Sequence, residues 1–442
     1  MNADKPIKLG WILAAMALGV VLGLLVGDDG HLLGLPLVAL GSFLGNAFLN
    51  LLRMLVVPLV VASIISGVAV TGNARDLGRL GLLSVSFYVL TTLIAVMIAL
   101  TVVNTVAPGV IDGAPARDLL ALHTDAGAVS ASVQANADRS LGDIVLAMIP
   151  VNIVAAAAEG KLIGLLLFSL LFGYFVTQLA TPARETMTRF WDGVFGVMMR
   201  MTGFVMKLAP LGVLGLTLKV TAEAGLDAAR PLLLFGLCVA ASLVIYAFAA
   251  LPLLLALIGR VNPWPLYPAM APALLTAFSS ASSSATMPLT LECLQHRAHV
   301  SPRIAGFVVP LGTSINHAGS ALYECAAALF IAQAYGLHLS LMTQVTIVLL
   351  ALITSMGIAS IPAASLVGIT VILAAMGLPA EAVGVLLVLD RLLDMARTAV
   401  NVLADSVCTV IVARLSGDRG ALVAAAAGLS PEPLPGSSSP RY

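Results

Sequence analysis

Runs of apolar residues as long as a bilayer is thick recur along the chain, for example Leu9 to Val26, Ala47 to Val70, Leu80 to Val103, Leu162 to Leu179, Leu232 to Leu257 and Val383 to Val412. A helix rises about 1.5 Å per residue, so about 20 apolar residues cross a hydrocarbon core about 30 Å thick. Lipid offers the backbone no hydrogen-bond partner, and a helix satisfies its own N–H and C=O groups within one segment. With 60% hydrophobic and only 10% charged residues, the spaces between these runs hold no sizeable water-soluble domain. The chain reads as an all-α polytopic membrane protein.

Met1 to Lys8 is short and basic, but no small-residue cleavage site follows the first apolar run, so that run reads as a retained first helix. Basic residues mark alternate connections: Lys5 and Lys8, Arg75 and Arg79, Arg184 and Arg189, Arg260, Arg297 and Arg303, then Arg414 and Arg419. This pattern places both termini in the cytoplasm. The formal net charge is zero and gives no case for a nucleic-acid partner. Cys238, Cys293, Cys325 and Cys408 lie scattered in apolar surroundings, with neither disulfide nor metal-knuckle spacing.

The organisation changes near Pro263. Before it, six hydrophobic segments are interrupted by a polar stretch, Pro108 to Asp143, which reads as an external loop. After it, small polar clusters at Ser279 to Thr286 and Ser355 to Ser365 break the apolar pieces. Irregular backbone at membrane depth is tolerated where protein buries it or where it lines a wet cavity, so these breaks read as re-entrant hairpins. They flank a polar span, Phe307 to Gln333, and the order hairpin, polar helix, hairpin, polar helix resembles an inverted repeat. The Pro- and Ser-rich tail, Leu429 to Tyr442, reads as disordered.

The last apolar run carries the strongest chemical signal. At about 100° per residue, Asp390, Asp394, Arg397, Asn401 and Asp405 fall at roughly 0°, 40°, 340°, 20° and 60°, with Thr398 near 80°. Three carboxylates against one guanidinium leave −2 on one face of an otherwise apolar helix. Each charge costs about 3 kcal/mol at the bilayer centre. A structural ion-pair network accounts for Arg397 with one aspartate but not for the surplus. Cations or an ammonium group supply the surplus, and Arg397 is then left to grip a carboxylate.

The segment Asp390-Arg-Leu-Leu-Asp-Met-Ala-Arg-Thr-Ala-Val-Asn-Val-Leu-Ala-Asp405 resembles the last-helix signature of the dicarboxylate/amino acid:cation symporters, the glutamate transporter homologues. The resemblance extends through Leu51-Leu-Arg-Met-Leu-Val-Val-Pro-Leu59, Thr276-Ala-Phe-Ser-Ser-Ala-Ser-Ser-Ser-Ala-Thr-Met-Pro288, Pro310-Leu-Gly-Thr-Ser-Ile-Asn316 and Ala321-Leu-Tyr-Glu324. It implies eight transmembrane helices plus two re-entrant helical hairpins, a homotrimer in the bacterial inner membrane, and an elevator-type transport domain moving against a fixed scaffold. Residues 1–107 and 144–260 then hold scaffold and transport-domain helices around the loop at 108–143, residues 261–416 form the transport core, and 417–442 form a cytoplasmic tail.

By position, the resemblance assigns the substrate ammonium to Asp394, its side-chain carboxylate to Arg397 and its main-chain carboxylate to Asn401 with Thr398. Ser283, Ile361 and Ser320 add contacts, with Ala281 at the first hairpin tip. A first Na⁺ site is implied at Gly312, Asn316, Asn401 and Asp405, a second at Ser314, Ser355, Met356 and Ile358, and a third at Tyr88, Thr91, Thr92 and Asn316. No cofactor is implied beyond these coupled ions.

Several positions depart from the family pattern. Ala318 stands where a carboxylate normally serves the third site, which weakens that site and changes the charge balance by one. His317 replaces the usual methionine, and Glu324 is placed like the proton-carrying glutamate of proton-coupled members; both are proton candidates. An arginine usual at the first hairpin tip or on the last helix is absent, with Ala281 and Met395 in those places, which puts K⁺ counter-transport in question. The second tip, Ile361-Pro-Ala-Ala-Ser365, lacks the frequent glycines, and a stiffer gate is expected.

The reading is therefore uptake of an acidic amino acid, aspartate or glutamate, coupled to Na⁺ with an H⁺ contribution, and not an enzyme. A neutral amino acid or C4-dicarboxylate carrier with mainly H⁺ coupling is the alternative within transport, and a ligand-gated channel the alternative outside it. The serine cluster at Ser279 to Ser284 has no Gly-x-Ser-x-Gly elbow to support a hydrolase.

Overall fold

The computed structural model describes residues 9–27, 31, 36–70, 78–120, 122, 124–137, 149–158, 162–224, 227, 229–357, 364–418 and 420–422. The tail expected to be disordered, Leu429 to Tyr442, lies outside the described residues.

Helix is the dominant element, as the spanning runs demand. The helices are α1 (Leu9–Val26), α2 (Leu37–Val70), α3 (Gly78–Val106), α4 (Ala126–Ala137), α5 (Ile153–Ala158), α6 (Leu162–Thr177), α7 (Thr181–Lys207) and α8 (Ala209–Ala224). They continue with α9 (Ala229–Gly259), α10 (Leu266–Ser280), α11 (Ser283–Glu292), α12 (Pro302–Ile315), α13 (Ala318–Ala334), α14 (Leu341–Gly357), α15 (Ala364–Met376) and α16 (Val383–Leu415). Among the described residues three helical stretches, Leu80–Val106, Ala229–Gly259 and Ala380–Leu415, are long and apolar enough to cross a membrane. A fourth crossing results if α7 and α8, bent by 50° at their junction, count as one span.

The structure revises three boundaries. Helix α2 starts ten residues before Ala47, because Gly41, Gly45 and Asn46 are carried in a helix that packs closely on α8. A Cβ on Gly215 of α8 would lie 2.4 Å from the Gly41 carbonyl oxygen, an approach only glycine permits. The loop expected at 108–143 contains ordered elements: a two-stranded hairpin, β1 (Val110–Ile111) and β2 (Ala114–Pro115), and α4. The turn at Asp112 and Gly113 has φ of 52° and 80°, which suits the Asp-Gly pair. Arg230 donates from both terminal nitrogens to Asp112, at 2.6 and 3.0 Å, pinning the hairpin to the start of α9. Those hydrogen bonds, with the guanidinium charge, hold the Asp112 carboxyl below the usual carboxylate range. Third, the polar span Phe307 to Gln333 is not one helix. It breaks at Asn316 and His317, whose ψ values of 88° and 52° leave the helical region between α12 and α13.

The helices pack in two groups. Helices α1, α2, α6, α7 and α8 pack mainly on one another. Helices α3 and α9 to α16 form the second group, with α13 and α16 at its centre. In α13 every residue from Ala318 to Ala332 is buried, Glu324 included, so the polar groups on this helix can meet only other protein groups. Helix α9 passes through two π turns, Tyr246–Ala250 and Leu255–Gly259, around Pro252, whose missing N–H interrupts the regular ladder.

Candidate functional site

Three features border the region of the buried face of α16. The first is the turn between α10 and α11, where Ala281 takes φ of 50° and Ser282 caps α11 by accepting from the Ala285 N–H at 3.3 Å. The second is the α12–α13 break. The third is the C-terminal end of α14, beyond which 358–363 lie outside the described residues, together with the expected contacts of Ile358 and Ile361. Helices α10, α11, α12, α13 and α14 border this region, and all but α14 pack directly on α16.

Along α16 the stripe expected from the sequence is buried: Asp390, Asp394, Arg397, Thr398, Asn401 and Asp405 are each at most 6% exposed. One terminal nitrogen of Arg397, Nη2, donates to Asp390 Oδ1 and Asp394 Oδ1, both at 3.0 Å. The guanidinium carbon lies 3.9 Å from the centre of the Tyr323 ring, a cation–π contact from α13. The fork is therefore partly committed within the protein, while Nε and Nη1 have no hydrogen-bond partner among the described residues. Unmatched buried guanidinium donors are costly unless a ligand completes them.

Arg391, a residue the face count did not include, brings Nη1 within 3.8 Å of Asp394 Oδ2. It sits near 100° on the helical wheel, off the stripe, yet its long side chain reaches one turn along to the aspartate. Three carboxylates then face two guanidiniums, and the surplus falls from the expected −2 to −1.

That single negative charge belongs to Asp405. Its Oδ1 accepts from Asn316 Nδ2 at 2.8 Å, a neutral donor. Asn316 stands at the α12–α13 break, and its Oδ1 accepts from Thr92 at 3.3 Å, which ties α3 into the same cluster. A Cβ on Gly312 would lie 2.6 Å from Asp405 Oδ1 and 2.8 Å from the Tyr88 hydroxyl, so the bare backbone of α12 is pressed against both oxygens. Tyr88 donates to the Val308 carbonyl at 2.6 Å, and Thr91 to the Phe87 carbonyl at 2.8 Å. Ala318, two residues past Asn316, is fully buried and its methyl side chain offers no oxygen. Hard oxygen donors around one carboxylate are the chemistry of a Na⁺ or similar cation.

The remaining residues divide. Asn401 is central: its Oδ1 accepts from the Gly319 N–H at 2.8 Å, and its Nδ2 donates to Ser320 at 3.4 Å. Thr398 turns its hydroxyl back to the Asp394 carbonyl at 2.8 Å. Ser283 is buried at the start of α11, and Ala281 at the turn before it. Ser355 is fully buried, Met356 half-buried and the Ser314 side chain exposed, while Ile358 of the second implied cation site lies outside the described residues. His317 is buried with Nδ1 3.1 Å from the Ser355 carbonyl; a carbonyl only accepts, so Nδ1 carries the proton. Glu324 is fully buried, with Oε2 2.6 Å from the Thr354 hydroxyl of α14.

The cation–π partner Tyr323 and the Glu324 partner Thr354 were not distinguished by sequence reasoning. The only signal for Tyr323 is its place beside Glu324 in the polar span, and for Thr354 its place just before the Ser355 break.

Comparison with known proteins agrees with this arrangement. The chain is 34% identical to the proton/glutamate-aspartate symporter of Escherichia coli strain K12, over 93% of this chain and 94% of that one. It is 31% identical to the proton/sodium-glutamate symport protein of Bacillus caldotenax, over 93% and 96%. It is 33% identical to human excitatory amino acid transporter 3, over 93% and 86%. Residues 9–415 match the sodium:dicarboxylate symporter family, and over that length the chain belongs to it.

Proposed function

We propose that this membrane transporter takes up an acidic amino acid, aspartate or glutamate, by symport with Na⁺ and H⁺. The observation that carries the reading is the buried Arg397, whose Nε and Nη1 lack hydrogen-bond partners among the described residues, beside two carboxylates that can accept an ammonium group. A solute with both a carboxylate and an ammonium completes both halves. A neutral amino acid leaves the Nε and Nη1 donors of Arg397 unmatched, and a C4-dicarboxylate brings a second negative group and no ammonium to the Asp390 and Asp394 carboxylates.

In this reading Arg397 binds the side-chain carboxylate, Asp394 the ammonium, and Asn401, Thr398, Ser320 and Ser283 the remaining polar atoms, with Ala281 and Ile361 at the two tips. Na⁺ binds at Asp405 with Gly312, Asn316 and Asn401, and the surplus charge of −1 there supports one strongly held cation. The second set, Ser314, Ser355, Met356 and Ile358, adds a second. The third set, Tyr88, Thr91, Thr92 and Asn316, binds weakly for want of a carboxylate at Ala318. Glu324 carries the proton, and His317 acts as a neutral donor to Ser355. The relatives named for proton and sodium coupling support both ions.

The finer architecture is also a proposal: eight spans with two re-entrant helical pairs, α10–α11 and α14–α15, in an elevator-type homotrimer. The two packing groups support a scaffold and a moving transport domain. The bacterial relatives support an inner-membrane location, with both termini cytoplasmic from the alternation of basic residues.

Purified protein in proteoliposomes tests the function. Concentrative uptake of labelled aspartate under an inward Na⁺ gradient, stimulated by an inward H⁺ gradient, is the expected result. Absence of accumulation under either gradient overturns it, and a current that runs without accumulation identifies a channel instead.

A further inference from the structure

One hydroxyl on α14 is asked to do two things. The Thr354 Oγ1 lies 2.7 Å from the Leu350 carbonyl oxygen, the usual back-bond of a helical threonine, and 2.6 Å from Glu324 Oε2 on α13. Thr354 has one hydrogen to give. If it goes to Leu350, the contact with Glu324 is satisfied only when the carboxyl itself is the donor. If it goes to Glu324, the Leu350 carbonyl loses that partner. The other carboxyl oxygen, Oε1, has no hydrogen-bond partner among the described residues, so Thr354 is the one polar side chain on which Glu324 rests.

The carboxyl is held there from the other side by α15. A Cβ on Gly368 would fall 2.4 Å from Glu324 Cδ and 2.6 Å from each carboxyl oxygen, so any side chain at this position displaces the group. Glu324 is therefore wedged between both arms of the α14–α15 pair. The charged group facing it from α16 is Arg397, its own helix adds the Cys325 thiol, and α14 and α15 present the uncharged Thr354 and Gly368.

We propose that Thr354 is a positioning residue for the coupled proton, its hydroxyl accepting from the Glu324 acid while donating to Leu350, then turning to donate to the Glu324 carboxylate. This rests on Glu324 as the proton carrier. When the cavity opens to water, the Glu324 O–H bond breaks, its electron pair stays on the carboxylate and the proton passes to a water oxygen. The Thr354 hydrogen swings from Leu350 to Oε2 and replaces it. The same hydroxyl thus serves both protonation states, and the freed Leu350 carbonyl, two turns before the end of α14, reports the change to the second helical pair.

Full-length protein in proteoliposomes tests this with Thr354→Val, which keeps the shape and removes the hydroxyl, Thr354→Ser, which restores it, and Gly368→Ala. Loss of the donor that favours the charged carboxyl is expected to move the pH midpoint of uptake toward alkaline pH by about one unit. It is also expected to reduce pH-gradient-driven uptake by about tenfold with the Na⁺ requirement unchanged. Thr354→Ser recovers the wild-type profile, and Gly368→Ala reproduces the loss. In purified protein the carboxylic-acid C=O stretch that disappears in Glu324→Gln shifts in Thr354→Val, which gives a readout even if uptake is lost. A wild-type pH profile in Thr354→Val, or a Thr354→Ser profile matching that of valine, overturns the role of Thr354. A Glu324→Gln variant that still responds to pH like the wild type overturns the proton assignment itself, and the role of Thr354 with it.

Discussion

The two ends of the polar stripe on α16 solve the same problem in opposite ways. At Asp390 and Asp394 the carboxylates are matched inside the protein, by Arg397 at 3.0 Å and by Arg391 at 3.8 Å. At Asp405, three turns further along, the carboxylate has an amide donor from Asn316 and no ion pair with a cationic side chain among the described residues. Buried charge must be compensated in both places, because an unpaired ion in a low-dielectric interior is strongly unfavourable. One end carries its counter-charge permanently, so a ligand there must insert into an existing ion-pair set. The other leaves the counter-charge to the solution. A helix built this way separates an organic-solute end from an inorganic-cation end.

Arg397→Ala breaks the first end most severely. It removes the guanidinium nitrogen that Asp390 and Asp394 share, leaves Asp394 only the more distant Arg391, and deletes the unmatched Nε and Nη1 donors at once. Removing one partner of a buried pair costs about 3–5 kcal/mol. Aspartate affinity, measured by calorimetry or competition uptake, is expected to fall by at least about 100-fold, while neutral amino acids lose far less. Unchanged aspartate affinity contradicts the comparison.

Asp405→Asn tests the other end. The side chain keeps its size and its contact with Asn316 but gives up the charge that calls for a cation. The Na⁺ concentration for half-maximal uptake is expected to rise about tenfold, and the Hill coefficient for Na⁺ to drop. Aspartate affinity at saturating Na⁺ changes much less. If the variant loses aspartate binding equally at all Na⁺ concentrations, the two ends are not separate.

Much of this was legible in the sequence because helical spacing alone fixes which residues share a face. The Asp390 to Asp405 stripe follows from periodicity, and the break within Ser279 to Thr286 follows from a polar cluster within an apolar run. The α12–α13 break was not legible: Ile315-Asn-His-Ala318 carries no proline or glycine at the break, and what bends it is tertiary, with Asn316 drawn to Asp405 and His317 to Ser355. Charge balance was misjudged for a related reason. Arg391 lies off the stripe by angle, and only side-chain length brings it to Asp394.

Arg391→Gln is the finest test of the comparison. Its side chain is 13% exposed and its 3.8 Å separation from Asp394 exceeds a hydrogen bond, so it acts through charge at a distance and not through a fixed contact. Such a pair contributes about 0.2–1 kcal/mol. If Arg391 serves to offset Asp394 in the absence of solute, removing it leaves Asp394 more available to the ligand ammonium. Aspartate affinity is then expected to rise by about two- to fivefold, with Na⁺ dependence unaltered. A decrease in affinity would assign Arg391 to the solute carboxylate, and a shift in Na⁺ dependence would show that charge at the organic end is felt at Asp405, which joins the two ends into one site.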